Sequence, residues 1–581
     1  MKYCIRAAAL LLAAALSFFA LTGCGEKTAQ ETILIPERLS AALVGDRISL
    51  DPAYATETQD LTVLSNLYEN LLKISTDEAG NITAVPAIAK SYEVEKNIDG
   101  SATYTFRLRS AKWSDGTHVT AGDFVYAWQR LADPATASPN AGLLTIVKGY
   151  DTVRSTGDVS ALQISAKNSS TLVVTITGTC EWFLTDVCTS PATVPLRRDV
   201  VESLTAAQTP PAAEDSTPVT PAIDAWASDP TRLVTNGPYC VSKYDADSMT
   251  LVQNERYAYN DDTPKTIRIL YVDTPEAGWN LYQAGSVDFL AELPVRQLQL
   301  LAENPQWAPI ANPTTGVLLF NTNNDWLCDP LVRQALQTVI DRTAISTTLG
   351  VSYIPASGLV SPSVPDPDLN AINFRVHGGD LVNCLSSELS QNHIEAMQLL
   401  AEAGFDETAP FPATEILFLD LPHYLEIARQ LADCWKAAYN MDVTLTAVDS
   451  TTLENALRSG SYTMALTELT SPINDAQGFL QYWASNHADN VVRYRNTAFD
   501  TLLAVVRSAS DDNARRGCLH DAESLLLEDS PLTPLYFTGS AYALRDDLIG
   551  LLRDPKGTFR FDQIRQIILP EEPAAGTDSE K

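Results

Sequence analysis

YTFRLRSAKWSDGTHVTAGDFVYAWQRLADP, Tyr104 to Pro134, decides how this chain is read. Tyr104, Phe106 and Leu108 alternate with Thr105, Arg107 and Arg109, the period of two that sets one face of a strand in a core and the other in water. Asp115-Gly116 follows as a turn, with glycine supplying the backbone freedom. Thr120 and Asp123 make a capping box at the head of a helix whose Phe124, Trp128 and Leu131 recur at i, i+4 and i+7. Asp133-Pro134 stops that helix. The stretch predicts a strand, a turn and an amphipathic helix closing on an aromatic core.

Outward from it, helical spacing covers Leu61 to Leu72, and alternation predicts strands at Leu39 to Val44, Thr171 to Thr177, Tyr239 to Val241, Met249 to Gln253, Thr266 to Val272 and Val287 to Leu290. A helix over Pro275 to Ala284 ends at Gly285. Asp329-Pro330 starts a helix carrying Val332, Leu336, Val339 and Ile340 on one side, and Asn392 with Glu395 opens another that ends at Gly404. Strand Glu415 to Leu419, helix Tyr424 to Tyr439, strand Val443 to Thr446, helix Thr452 to Ser459 and strand Tyr462 to Leu466 then alternate. Such a βαβαβ series predicts parallel strands with right-handed crossovers. Ligands on these sheets sit beyond the carboxyl ends of strands, which points to Thr467 to Asp475.

The chain has 581 residues, enough for about three or four domains. Its 40 basic and 72 acidic residues give a net charge of -32, which excludes a nucleic-acid binder and charge-driven docking on anionic lipid and fits a solvated exported surface. Lys2 and Arg6 precede the apolar run Ala7 to Ala20, which is too short to span a membrane and reads as a signal segment. Leu21-Thr22-Gly23-Cys24 resembles a bacterial lipobox, with Cys24 as the lipid-attachment residue and the polar residues after it as a tether. Thr205 to Ile223, rich in Pro, Ala and Thr, reads as a surface insertion, and the acidic tail from Glu571 as disordered.

Chemistry leaves little trace. GxSxG, HExxH, GxxxxGK and CxxC are all missing from the sequence. His118, His377, His393, His423, His487 and His520 lie far apart with no i,i+4 pair, so they read as scattered surface residues with no metal site, the alternative being a metal site assembled from distant loops. No cofactor and no enzymatic activity are expected. Of seven cysteines beyond Cys4 and Cys24, Cys180 and Cys188 flank a short segment and either close a small disulfide loop or stay buried thiols, and Cys434 faces a core.

WSDGTHVTAGDFVYAWQRLADP resembles the signature of solute-binding proteins that feed oligopeptide, dipeptide and nickel ABC importers, extracellular family 5. Further phrases follow in the family's order: LYENLL at Leu67 to Leu72, VPAIAKSYEV from Val85, TNGPY at Thr235 to Tyr239, LYQAGSVDF at Leu281 to Phe289, VRQALQTVIDR at Val332 to Arg342 and LLAEAGF at Leu399 to Phe405. The resemblance implies an α/β, two-lobed periplasmic-binding-protein-like fold with a hinge, of the large class with an extra small domain. On that pattern 33–66, 185–306 and 533–570 form lobe I, 67–184 the small domain and 307–532 lobe II, with crossings near Trp307 and Leu532. It also implies a monomer at the extracytoplasmic face, held to the cell membrane by its lipid anchor only and delivering a small, peptide-like solute to an ABC permease and its ATPase.

The resemblance places the ligand site at the loop Ser49 to Thr58, with Thr56, and at the segment after Tyr462 to Leu466. In oligopeptide-binding relatives that segment is rich in Arg, Trp, Asp and Tyr, and its Asp neutralises the peptide's amino terminus. Here Leu466 stands at the Arg, Leu469 at the Trp and Pro472 at the Asp. Glu468 and Asp475 are the candidate substitutes, although Asp475 reads first as part of a helix start before Phe479, and Arg458, Leu469, Thr470, Ser471, Pro472 and Tyr536 complete the candidate set. This departure leaves three readings beside an ordinary peptide receptor: the same fold tuned to a modified peptide, a nickel chelate or a glycan; a surface sensor or adhesin without transport; and, last, an exported hydrolase.

Overall fold

In the computed structural model, which describes residues 32–46, 49–76, 82–178, 180, 182–208, 225–258, 262–301, 309–366, 373–384, 386–405, 411–509 and 511–568, the Tyr104 stretch forms the strand Ala102–Leu108 and the helix Ala121–Ala132. Tyr104, Phe106 and Leu108 are buried and Arg107 is exposed, as the alternation requires. Gly116 turns with a φ of 91°, and the Asp123 carboxylate accepts from the Thr120 N–H at 2.8 Å. Phe183 packs on Tyr104, Phe106 and Trp128, with ring centroids 4.8, 6.4 and 6.3 Å away. The strand lies inside an antiparallel sheet ordered Ala89–Lys96, Ala102–Leu108, Thr171–Ile176, Ile164–Asn168.

Two six-stranded sheets organise the remainder into a two-lobed α/β fold. The first runs Ala543–Leu544, Phe289–Leu290, Arg38–Val44, Thr266–Val272, Ser248–Gln253, Tyr239–Tyr244, with Arg38–Val44 parallel to both its neighbours. Leu39, Ala41 and Leu43 share one continuous core with Phe106, Trp128 and Phe183 of the small sheet, while Ala42 faces a separate cluster with Val272 and Leu290. The four-stranded unit is therefore packed as part of the first lobe.

The second sheet runs Tyr353–Pro355, Leu532–Ser540, Ile310–Phe320, Met464–Thr470, Thr414–Leu419, Val443–Val448. Val317, Leu319, Leu417 and Ala465 face one core; Leu318, Phe320, Ile416, Phe418, Met464 and Leu466 face the other. A strand buried on both faces reads as a continuous apolar run, which is why VLLF and MAL carry no alternation. The βαβαβ series is parallel as expected. Leu532–Ser540 lies wholly in this sheet and Ala543–Leu544 pairs in the first, so the chain crosses between lobes after Ser540 and not near Leu532, because Leu532–Ser540 pairs with Ile310–Phe320 along its length. The crossing expected near Trp307, Cys24 with the signal segment, and the tail from Glu571 lie outside the described residues.

Several quoted phrases are clasps. The Asn236 side chain accepts from the Glu69 N–H at 3.1 Å and donates to the Glu69 carbonyl at 2.9 Å, fastening TNGPY to LYENLL. A Cβ on Gly237 would stand 2.7 Å from the Leu67 carbonyl carbon, so only glycine permits the approach. Arg130 donates to both oxygens of buried Asp51, which also accepts from the Trp226 indole at 2.7 Å, pinning the Ser49 to Thr58 loop to the Ala121–Ala132 helix. Arg342, fully buried, donates to the Pro534 carbonyl and to Thr533 Oγ1, each at 2.7 Å, and to the Asn383 carbonyl at 3.1 Å. Burial lowers its pKa to about 10.

Element bounds depart from the sequence pattern in several places, and four of them have a clear consequence. The helix expected over Leu61 to Leu72 is Thr58–Leu67, and Leu72 begins a strand: the backbone is already extended at Tyr68, and the Asn236 clasp ties down Glu69 just beyond it. The helix expected to start at Asn392 starts at Leu389 and buries Asn392. The insertion at Thr205 is still helical to Gln208, with 209–223 outside the described residues. The strand ending at Leu466 runs on to Thr470, because Ile310–Phe320 pairs with it as far as Thr314↔Thr470.

Candidate functional site

A cleft of about 1550 Å3 opens between the lobes, larger than the roughly 300–1,000 Å3 of clefts that take one small molecule. Leu43, Thr56, Asn140, Asp186, Glu292 and Lys556 line it from the first lobe, and Asn312, Thr314, Pro365, Thr470, Pro472 and Asn474 from the second. Among the described residues, the lining has four carboxylates, Glu57, Asp186, Glu292 and Asp554, and one ammonium, Lys556. The remaining lining is mostly hydroxyls, amides and prolines, groups that read a solute's backbone without fitting one shape.

Of the sequence candidates, Thr56, Thr470, Ser471 and Pro472 line the cleft. Thr470 Oγ1 lies 2.9 Å from Thr314 Oγ1, and Ser471 turns its hydroxyl inward to the Ile473 carbonyl. The others are elsewhere. Asp475 is held by Arg515 through two bonds of 2.8 and 2.7 Å and accepts from the Gln477 N–H at a helix start, so its charge is already matched. Glu468 accepts from the Tyr536 hydroxyl at 3.0 Å, and Tyr536 is fully buried beneath the sheet, its ring standing where a Gly316 Cβ would be. Burial, then Glu468, raises the Tyr536 pKa. Leu469 packs against a core. Arg458 is exposed and pairs with Glu454 and Asp489 at 3.0 and 3.3 Å, on the solvent side of its helix.

The residue that sequence reasoning missed is Asp186. It sits in a single π-helical turn, Phe183–Val187, a distortion often found at functional sites. Its side chain is 3% exposed; Oδ1 accepts from the Asn474 N–H at 2.8 Å and lies 3.3 Å from Lys556 Nζ. A carboxylate from the first lobe thus stands against the very loop, Pro472 to Asn474, where the sequence lacks one. Burial pushes the Asp186 pKa up, and Lys556 and the Asn474 amide oppose that shift without cancelling it. Burial and then Glu276 push Glu292 up as well. Raised carboxylates in a cleft mark a site where charge is held at a cost until a partner arrives. The one signal for Asp186 in the sequence is a lone acid inside the aromatic and apolar run Trp182 to Val187.

Cys180 and Cys188 are separate buried thiols on the first lobe's core, so the loop between them is not closed by a bridge. Cys434 donates to the Val339 carbonyl, and burial pushes its thiol up to about 12. The histidines are not all scattered: His377 and His520 meet, with ring centroids 4.7 Å apart, around Asp366. No helix among the described residues is long and apolar enough to cross a membrane.

Comparison with known proteins agrees with the two-lobed fold. The sequence profile of bacterial extracellular solute-binding proteins, family 5 (middle region), matches residues 83–490. The periplasmic oligopeptide-binding protein OppA of Salmonella typhimurium is 29% identical over 504 residues, 84% of this chain and 85% of that protein. The probable deoxycholate-binding periplasmic protein YgiS of Escherichia coli is 28% identical over 497 residues, 84% of this chain and 86% of that protein. Among solved structures, the Escherichia coli murein tripeptide binding protein MppA superposes with a TM-score of 0.70 at 25% identity, covering 92% of this chain and all of that one.

Proposed function

Because the chain belongs to the bacterial extracellular solute-binding proteins of family 5, we propose that it is the receptor of an ABC importer and takes a peptide-like solute with a charged amino group into the cleft between its lobes. The observation that carries this is the interlobe cleft with buried Asp186 beside Pro472. Asp186 supplies from the first lobe the negative charge that Pro472 cannot. Lys556 neutralises it until a ligand ammonium shares the carboxylate, and the lining's excess of carboxylates draws cationic solutes in.

Closure follows from the layout. On this reading 33–66, 185–306 and 541–570, with the packed-on unit 67–184, move as one body against the second lobe, to which the strand Leu532–Ser540 belongs, and closure turns on the segments that join them. Closed protein binds solute on both walls and is the form the permease and its ATPase engage; specificity is the difference in solute affinity between the two arrangements. Cys24 carries the lipid that keeps this monomer at the extracytoplasmic face, and no step calls for a catalytic group.

Calorimetric titration with short peptides, each with a free or an acetylated amino end, tests the proposal. Tighter binding of the free amine supports it. Equal binding of both forms overturns the role of Asp186, and binding of neither form, with a non-peptide solute such as a glycan bound instead, overturns the substrate class.

A further inference from the structure

Behind the second-lobe wall of the cleft, three groups from separate elements converge. Pro365 and Asn373 line the cleft and form an isolated bridge to each other. Asp366 follows the first of them, His377 lies in the short helix Phe374–Gly378 after the second, and His520 comes from the helix Asp512–Asp529. His377 Nδ1 lies 2.7 Å and His520 Nε2 3.1 Å from the same oxygen, Asp366 Oδ2. Arg516 Nε lies 3.1 Å from the other oxygen, which leaves Oδ2 to the histidines. The Phe374 ring stacks on His520 at 3.9 Å and fixes its plane.

We propose that Asp366, His377 and His520 form a binding site for a divalent transition-metal ion such as Zn2+. Three ligand atoms within 4.8 Å of one another are the donor set of an open zinc site, with water completing it. Around a tetrahedral Zn2+ such atoms stand about 3.3 Å apart, so the cluster must widen by a few tenths of an ångström. His377, on a five-residue helix with a side chain 47% exposed, has room to give and is the route of entry.

Two further observations concern the groups around these donors. For His520 to donate through Nε2 to Asp366, its buried Nδ1 must be bare, and Nδ1 has no hydrogen-bond partner among the described residues. Glu523, one turn along the same helix and fully buried, has an oxygen, Oε2, that also lacks one, as do Nε and Nη2 of its partner Arg375. A metal ion on Nε2 moves the imidazole proton to Nδ1, converting one of these two bare acceptors into a donor. The charges select the ion class. Among the described residues Asp366 is matched by Arg516 and Glu523 by Arg375, so their charges nearly cancel. A hard cation that depends on excess carboxylate charge gains little, while an ion that prefers imidazole is held.

The test uses full-length protein without a polyhistidine tag, stripped of metal and titrated with Zn2+ against a chromophoric chelator. The expected result is one Zn2+ per chain, weakened at least about tenfold by His377→Ala or His377→Gln and unchanged by His487→Ala. Co2+ in place of Zn2+ should show the visible absorption of a four-coordinate ion, absent in His377→Ala. No uptake, or uptake that ignores both His377 substitutions, would mean a hydrogen-bonded cluster only and overturn the proposal. Should the variants fail to fold, unfolding of the wild-type protein decides: a midpoint that rises with Zn2+ concentration supports the site, and an unmoved midpoint overturns it.

Discussion

Replacing Asp186 with asparagine separates charge from shape at the centre of the cleft. Asparagine keeps an oxygen for the Asn474 N–H, now 2.8 Å from Asp186 Oδ1, so the meeting of the two lobes is preserved. What is lost is the charge seen by Lys556 at 3.3 Å and, on the account above, by the solute's ammonium. A hydrogen bond to a charged group contributes about 1.5–3 kcal/mol, and at 3% exposure solvent does not screen it away. Lys556 competes for the same carboxylate, which places the effect at the lower end, an increase in Kd of about tenfold. Calorimetry with a peptide and its N-acetylated twin is the assay: the free peptide should weaken and the acetylated one should not. The pH dependence has a definite sign. Burial raises the Asp186 pKa, so its charge is lost on acidification at a higher pH than an ordinary aspartate's, and the preference for the free amine should fade over that range in wild-type protein only. An equal loss for both peptides would show that Asp186 governs lobe closure, and no loss for either would remove it from the site.

Other consequences follow from the same contacts. Gly316→Ala would place a Cβ 2.2 Å from Tyr536 Cζ; overpacking of this kind costs about 1–3 kcal/mol, read as a lower urea midpoint, and an unchanged midpoint would mean that Tyr536 can tilt away. Arg342→Ala strips the donors from the Pro534 and Asn383 carbonyls and Thr533 Oγ1 and should cost about 3 kcal/mol in the same assay. Burial opposes the charge of Asp562, but the Arg560 guanidinium 2.9 Å away outweighs it and holds the carboxyl below its usual range. That stability is complete above the unfolded pKa of about 4 and is lost as pH falls through the lower folded value; unfolding midpoints between about pH 5 and pH 2 should fall less steeply in Asp562→Asn.

The architecture was legible where local and tertiary signals agree. The capping box at Thr120 and Asp123, the alternation from Tyr104 and the βαβαβ series are set by neighbours in sequence, and the structure keeps each of them. Bounds slipped where a distant partner meets the chain, as just past Leu67, where Asn236 ties down Glu69, and at Thr470, where Ile310–Phe320 prolongs the strand. The site was half legible for the same reason. Register along one strand located Thr470, Ser471 and Pro472 at the cleft, but Asp475 and Glu468 were judged without Arg515 and Tyr536, which come from other segments and already engage them. Asp186 and the pair His377 and His520 are brought to their places by tertiary folding alone, and no spacing along the chain encodes them.

The central claim, a peptide-like solute held between the lobes, is tested most directly by native mass spectrometry of the purified protein before and after partial unfolding to release what it carries. The account predicts a spread of bound masses that fragment into short peptides, lost on unfolding and regained when peptide is added back. A single bound mass that does not fragment as a peptide, or no mass regained from any peptide, would contradict it.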